Sequence, residues 1–166
     1  MATEKAKKKE QRNLRVATDD KRRFTQIWGV MAQLALQFEI DALAIEVFSP
    51  WQVQRKGKGG GVATGGGFAS AWKTATVYGL GLGFGFSRGI LTFAFLPADL
   101  KRGIAGELKA SKEDVCRVLL EKVDNFKELL GIVPRTKQEH ASDAVGHAYM
   151  GLQEMFELRK MLGVSV

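Results

Sequence analysis

The chain of 166 residues is long enough for one ordinary domain with a real core, and 45% apolar residues at a mean hydropathy of −0.10 exclude a disordered or fibrous protein. Its 25 basic against 18 acidic residues give a net charge of +7 and a pI near 9.6, which points to a polyanionic partner, with nucleic acid ahead of an anionic membrane surface. One cysteine excludes an intramolecular disulfide framework and a cysteine-based zinc cluster. Cys116, set in the apolar pattern Val115-Cys116-Val118-Leu119, reads as a buried structural thiol in a reducing, intracellular setting.

Residues 1–13, MATEKAKKKEQRN, contain no apolar run and read as a mobile basic tail, which makes 14–166 the folded domain. Met1 is followed by charge rather than an apolar stretch, so no secretory leader is expected. Leu14 to Thr18 is a candidate short strand, and Thr18-Asp19-Asp20 supplies N-cap candidates for a helix from about Lys21. In that helix Phe24, Ile27, Trp28, Met31, Leu34 and Phe38 recur at spacings of three and four, forming one apolar stripe. Ala42 to Phe48 follows as a short buried strand carrying a single carboxylate, Glu46. An unpaired carboxylate buried there would cost several kcal/mol. Glu46 therefore either points outward, or pairs with an arginine, or binds a metal. The order strand, helix, strand favours an α/β fold with a short, mostly parallel sheet flanked by helices.

Residues 51–67, WQVQRKGKGGGVATGGG, form a long glycine-rich loop without the Gly-Lys-Ser/Thr ending of a phosphate-binding P-loop. Its cations Arg55, Lys56 and Lys58 suit a backbone phosphate, and a plain connector is the alternative. Phe68 to Ser87 reads as a helix although each of Gly79, Gly81, Gly83 and Gly85 costs roughly 1 kcal/mol relative to alanine. The glycine pairs 79/83 and 81/85, each four apart, would let another helix dock closely, within the chain or across a dimer; the alternation GLGLGFGF also fits a strand. The uncharged piece Thr74–Ser87 would span about 21 Å as a helix, short of the roughly 30 Å hydrocarbon core, so no membrane span is expected. ILTFAF, residues 90–95, is the next buried strand, closed by Pro97.

Ser111-Lys112-Glu113-Asp114 is a capping-box-like helix start, with a stripe of Val115, Val118, Leu119, Val123, Phe126, Leu129 and Leu130 before Gly131. After a linker with Pro134, a last helix over about Glu139–Leu162 carries apolar positions Ala144, Ala148, Leu152, Met155, Phe156 and Leu162. Near its start His140, Asp143 and His147 lie three and four apart on nearly one face, a spacing compatible with a divalent metal or with a surface pair or cap.

The segments FEIDALAIEVF (38–48), ILTFAFLPADLKRGIAG (90–106), KASKEDVCRVL (109–119) and HASDA (140–144) resemble the ordered segments of RuvC-type Holliday junction resolvases, over about residues 14 to 155. The resemblance implies an RNase H-like fold, a homodimer, and Mg²⁺- or Mn²⁺-dependent cleavage of four-way DNA junctions. It implies Glu46, His140 and Asp143 as metal ligands, with one ion activating water and another stabilising the leaving 3′ oxygen. It further implies Lys101 and Lys112 as catalytic cations near the scissile phosphate and Phe48 as a DNA contact; the basic Arg55, Lys56, Lys58, Arg102 and Lys109 are expected to contact DNA beside Phe48, Lys101 and Lys112. Phe48 lies two residues beyond Glu46, one closer than the junction-wedging aromatic it resembles. The family's first strand, which supplies its first metal-binding aspartate, has no match in residues 1–13, while LRVATDDKRRF matches the family's third strand and first helix. The chain is then an N-terminally truncated frame, or receives the strand from a second polypeptide, or has lost cleavage, or uses Leu14–Thr18 centrally with Asp19 or Asp20 as the ligand.

Overall fold

The computed structural model describes residues 4–47 and 67–164. It divides into two units, residues 1–40 and 41–166. The first is a single helix, α1 (Glu4–Gln37), which continues through the basic stretch where composition predicts a mobile tail. Lys, Arg, Glu, Gln and Ala are strong helix formers, and once a nucleus exists each added residue gains a hydrogen bond. The same cooperativity absorbs Leu14–Thr18, expected as a strand. The Thr18 hydroxyl donates to the Leu14 carbonyl at 2.9 Å, and Thr25 to Lys21 likewise. Asp19, expected as a cap or as a substitute metal ligand, lies inside the helix with its carboxylate held by Arg22 at 2.7 Å and Arg23 at 2.9 Å. Asp20 is mid-helix as well.

The second unit is built on two short parallel strands, β1 (Ala42–Glu46) and β2 (Leu91–Phe95), in the register Ala42↔Leu91 to Glu46↔Phe95. Between them in sequence lies α2 (Gly67–Arg88), a helix as expected for Phe68–Ser87, so the alternating strand reading fails. Side chains alternate across the sheet, and the glycines on α2 sort accordingly. A Cβ on Gly81 would sit 3.2 Å from Ile45, and one on Gly85 would overlap the Thr92 hydroxyl, whereas Gly79 and Gly83 meet nothing within 4 Å among the described residues. The close approach predicted for these glycines is therefore made to the sheet, through one of the two pairs.

Four helices complete the unit: α3 (Pro97–Ala105), α4 (Lys112–Lys122), α5 (Phe126–Ile132) and the long α6 (Gln138–Met161), which follows a 3₁₀ turn at Arg135–Lys137. Asp99 accepts the Leu96 N–H at 2.9 Å to start α3. At the start of α4 the Ser111 hydroxyl accepts the Asp114 N–H at 3.1 Å and Asp114 accepts the Ser111 N–H at 3.1 Å, the reciprocal cap expected from sequence. The Ser111 hydrogen bonds hold the Asp114 carboxyl below its ordinary range. The helix predicted to run on to Leu130 breaks after Lys122, where Asn125 takes a left-handed φ of 61° and opens α5.

The core gathers Phe95, Leu100, Ile104, Val115, Leu119, Phe126 and Met150, with Cys116 packed against it and half-buried. Helix α6 meets this core through a face that its apolar period did not indicate. Ser142, Gly146, His147, Met150 and Gly151 are buried, while Ala144, Ala148, Leu152 and Phe156 are exposed and Leu162 more so. The reason is the distance of approach: a Cβ on Gly146 would lie 2.6 Å from Leu100 and one on Gly151 3.0 Å from Ala44, so small residues face inward. No described helix is long and apolar enough to cross a membrane.

Candidate functional site at the carboxyl edge of the sheet

Glu46 closes β1 and is exposed, which agrees with the outward-pointing reading of its place in the strand. The strand stops one residue short of Val47, and Glu46 at its end reaches solvent beyond the packed layer. Phe48, Arg55, Lys56 and Lys58 lie outside the described residues. By the alternation of the strand Glu46 shares a face with Ala44, the face against which Gly151 of α6 packs.

Helix α6 carries the remaining donors towards that edge. Gly151 lies on Ala44, and the His147 ring stands 6.3 Å from the ring of Phe95, the register partner of Glu46. Four residues of helix rise about 6 Å and two residues of strand about 6–7 Å, so Glu46 and His147 lie at similar heights. Asp143 is then about 6 Å further along, and His140 beyond it, past the end of the strands. Glu46, Asp143 and His140 thus lie towards one end of the sheet. Among the described residues no three His, Cys, Asp or Glu side chains gather closely enough to hold a metal ion.

The first turn of α6 instead meets a lysine. Lys112, the first residue of α4, donates to Glu139 Oε1 and lies 3.4 Å from Asp143 Oδ2. Its hydrogen bond to Glu139 raises the ammonium's pKa above the ordinary value, with the Asp143 charge adding to the effect. The same hydrogen bond holds Glu139 below its ordinary range. Glu139 went unnoticed in the sequence reading, although its place four residues before Asp143 puts both carboxylates on one helical face. His140 is exposed beside them. Lys101 is half-buried on α3, Arg102 is exposed on the same helix, and Lys109 is exposed just before α4.

His147 is the buried member of the series, 4% exposed. Its Nδ1 lies 2.7 Å from the Asp143 carbonyl, an acceptor, so Nδ1 carries the proton and donates. Nε2 is buried with no hydrogen-bond partner among the described residues.

No protein-family model matches the chain, and no curated protein matches it. Among solved structures the chain is similar to a Thermus thermophilus RuvC structure, with 22% identity over 85% of this chain and 70% of that chain and a TM-score of 0.51. At that identity the likeness is one of fold: a helix-rich α/β unit with a short parallel sheet.

Proposed function

We propose that this chain is a Holliday junction resolvase-like protein of RNase H-like fold that recognises four-way DNA junctions. The observation that carries the reading is the fold likeness to RuvC over 85% of the chain. The net charge of +7 and the cations of α3 and α4 add to it. In this reading Lys101, Arg102, Lys109 and Lys112, with Arg55, Lys56 and Lys58, meet backbone phosphates, and Phe48 lies against the junction. Such contacts select shape and phosphate placement rather than base sequence. Two copies acting together would engage opposing arms.

The metal part of the reading takes Glu46, His140 and Asp143 as ligands of Mg²⁺ or Mn²⁺, an ion that when bound supplies Lewis-acid chemistry at phosphorus. The residues in their present places do not fit one shared ion. Among the described residues no three such side chains gather closely enough to hold an ion, and Asp143 faces the Lys112 ammonium. Junction recognition is therefore the conclusion.

The test is a labelled four-way junction against a linear duplex of equal length at moderate salt. Tighter binding of the junction by about tenfold, some 1.4 kcal/mol, is expected; equal binding removes the proposal. For cleavage the Glu46→Gln variant decides: it should abolish any Mg²⁺-dependent nicking and leave binding intact, and unchanged nicking takes Glu46 out of the site.

A further inference from the structure

Positive charge is unevenly spread along the chain. Residues 1–23 hold nine basic and four acidic residues, a net +5 of the chain's +7, and everything after them adds only +2. The attraction to a polyanion that the composition implies therefore belongs mostly to the first half of α1, not to the unit that holds the sheet. Helical spacing then sorts these charges by direction. Lys5, Lys9, Arg12 and Arg15 follow one another at intervals of four, three and three, which places them on one side of α1 with Lys8 beside them and Glu10 on the opposite side. All four are exposed, and among the described residues none of the four has an ion-pair partner. Two turns later the same helix behaves differently: Arg22 and Arg23 are both neutralised by Asp19. Like charges one turn apart weaken a helix, a penalty that a row of phosphates laid along the stripe would reverse.

The stripe has the dimensions and the chemistry of a phosphate-backbone contact. Lys5 to Arg15 is ten residues, about 15 Å of helix axis, a length over which duplex backbone presents several phosphates. A membrane surface would call for a broad apolar face opposite the cations, and between Lys5 and Arg15 the one large apolar residue is Leu14. A protein partner would call for aromatic or aliphatic anchors among few lysines, the reverse of this composition.

We propose that Lys5, Lys9, Arg12 and Arg15 on α1 form a nucleic-acid site of their own, an arm that grips the phosphates of duplex DNA without regard to base sequence or junction shape. The site is separate from the cations placed on the junction above and does not depend on the resolvase-like reading.

The experiment follows binding of the full chain to a labelled linear duplex by fluorescence anisotropy over a range of salt concentrations. Lys5→Gln, Lys9→Gln, Arg12→Gln and Arg15→Gln are made together, because glutamine removes the charge and is nearly as good a helix former. The slope of log affinity against log salt should fall by about 3 to 4, at roughly 0.9 per phosphate contact, and affinity at about 100 mM salt should drop at least about tenfold. A control loses the same charge elsewhere, through Lys127→Gln, Arg135→Gln, Lys137→Gln and Lys160→Gln at exposed positions of the second unit, and should keep most of the slope. A third protein with Lys5→Arg, Lys9→Arg, Arg12→Lys and Arg15→Lys keeps every charge and should bind like the unaltered chain. If circular dichroism shows lost helix in the first variant, Arg12→Gln with Arg15→Gln decides by the same criterion, with a slope change of about 2. The proposal is overturned if the unaltered chain binds no linear duplex, if the first variant keeps the parental slope, if the control loses as much, or if the charge-preserving protein loses affinity. Loss of binding to phosphatidylserine vesicles with duplex binding retained would also overturn it and assign the stripe to a lipid surface. The ratio of junction to linear affinity tests the resolvase-like reading and the salt slope on linear duplex tests the arm, so the failure of one is distinguishable from the failure of the other.

Discussion

From Gly146 to Gly151, α6 runs so close to its neighbours that an added methyl would collide with Leu100 or Ala44; two turns earlier, Glu139 and Asp143 face a lysine at the surface. One helix thus has a segment that the core defines by shape and a segment that carries charge. The packed segment sets where the charged one stands, since every residue of a helix is fixed by its axis and phase. The charged segment returns little stability, because exposed ion pairs are screened and held by flexible side chains. Substitutions in the packed segment should therefore lower stability on the kcal/mol scale, while those in the charged segment should change it little.

The largest break in that comparison should come from Leu119, which is 0% exposed and faces Gly146 across the α4–α6 contact. Leu119→Ala should lower stability by about 2–5 kcal/mol in urea denaturation. Gly146→Val should cost about 1–3 kcal/mol, since its branched side chain must displace the Leu100 methyl. A Gly146→Val protein as stable as the parent would show that α6 is not seated as described. His147 sits at the border of the two segments and sharpens it. His147→Leu removes a buried Nε2 that has no partner among the described residues together with the Nδ1–H donated to the Asp143 carbonyl, so the two changes should nearly offset and stability should stay within about 1 kcal/mol of the parent; a loss of several kcal/mol in urea denaturation would show that the ring is held by more than this one hydrogen bond.

The smallest effect is the pH response of the charged turn. The Glu139 pKa is depressed, so its contribution is present above its unfolded value, about 4.3, and is lost as pH falls through the lower folded value. Lys112 is raised, so its contribution is complete below about 10.4 and is lost only as pH rises through the higher folded value. The contact should therefore persist through neutrality and fail first in acid. The Glu139 carboxylate titration, followed by nuclear magnetic resonance, should move to higher pH in Lys112→Met; an unmoved midpoint would show that the two do not pair.

Local chemistry made much of the fold legible. The Ser111 cap and the β-rich run at Leu91–Phe95 follow from neighbours in sequence, because capping and propensity effects act over a few residues. The inward face of α6 did not follow. A hydropathy period marks Leu152 and Phe156 as core, but the distance between α6 and the sheet selects Gly146 and Gly151, and that distance is a property of the assembled layers. Glu46 is a similar case. An apolar run places it in a strand, while the end of the sheet decides that it meets solvent.

The site divides along the same line. The sequence by itself determined the identity of its charged groups and the one-turn spacing that puts Glu139 and Asp143 on one side of a helix, because helical geometry converts spacing into direction. Only the tertiary structure decided what faces them. Lys112 is 27 residues from Glu139, and it arrives because the capped start of α4 and the close seating of α6 share one core.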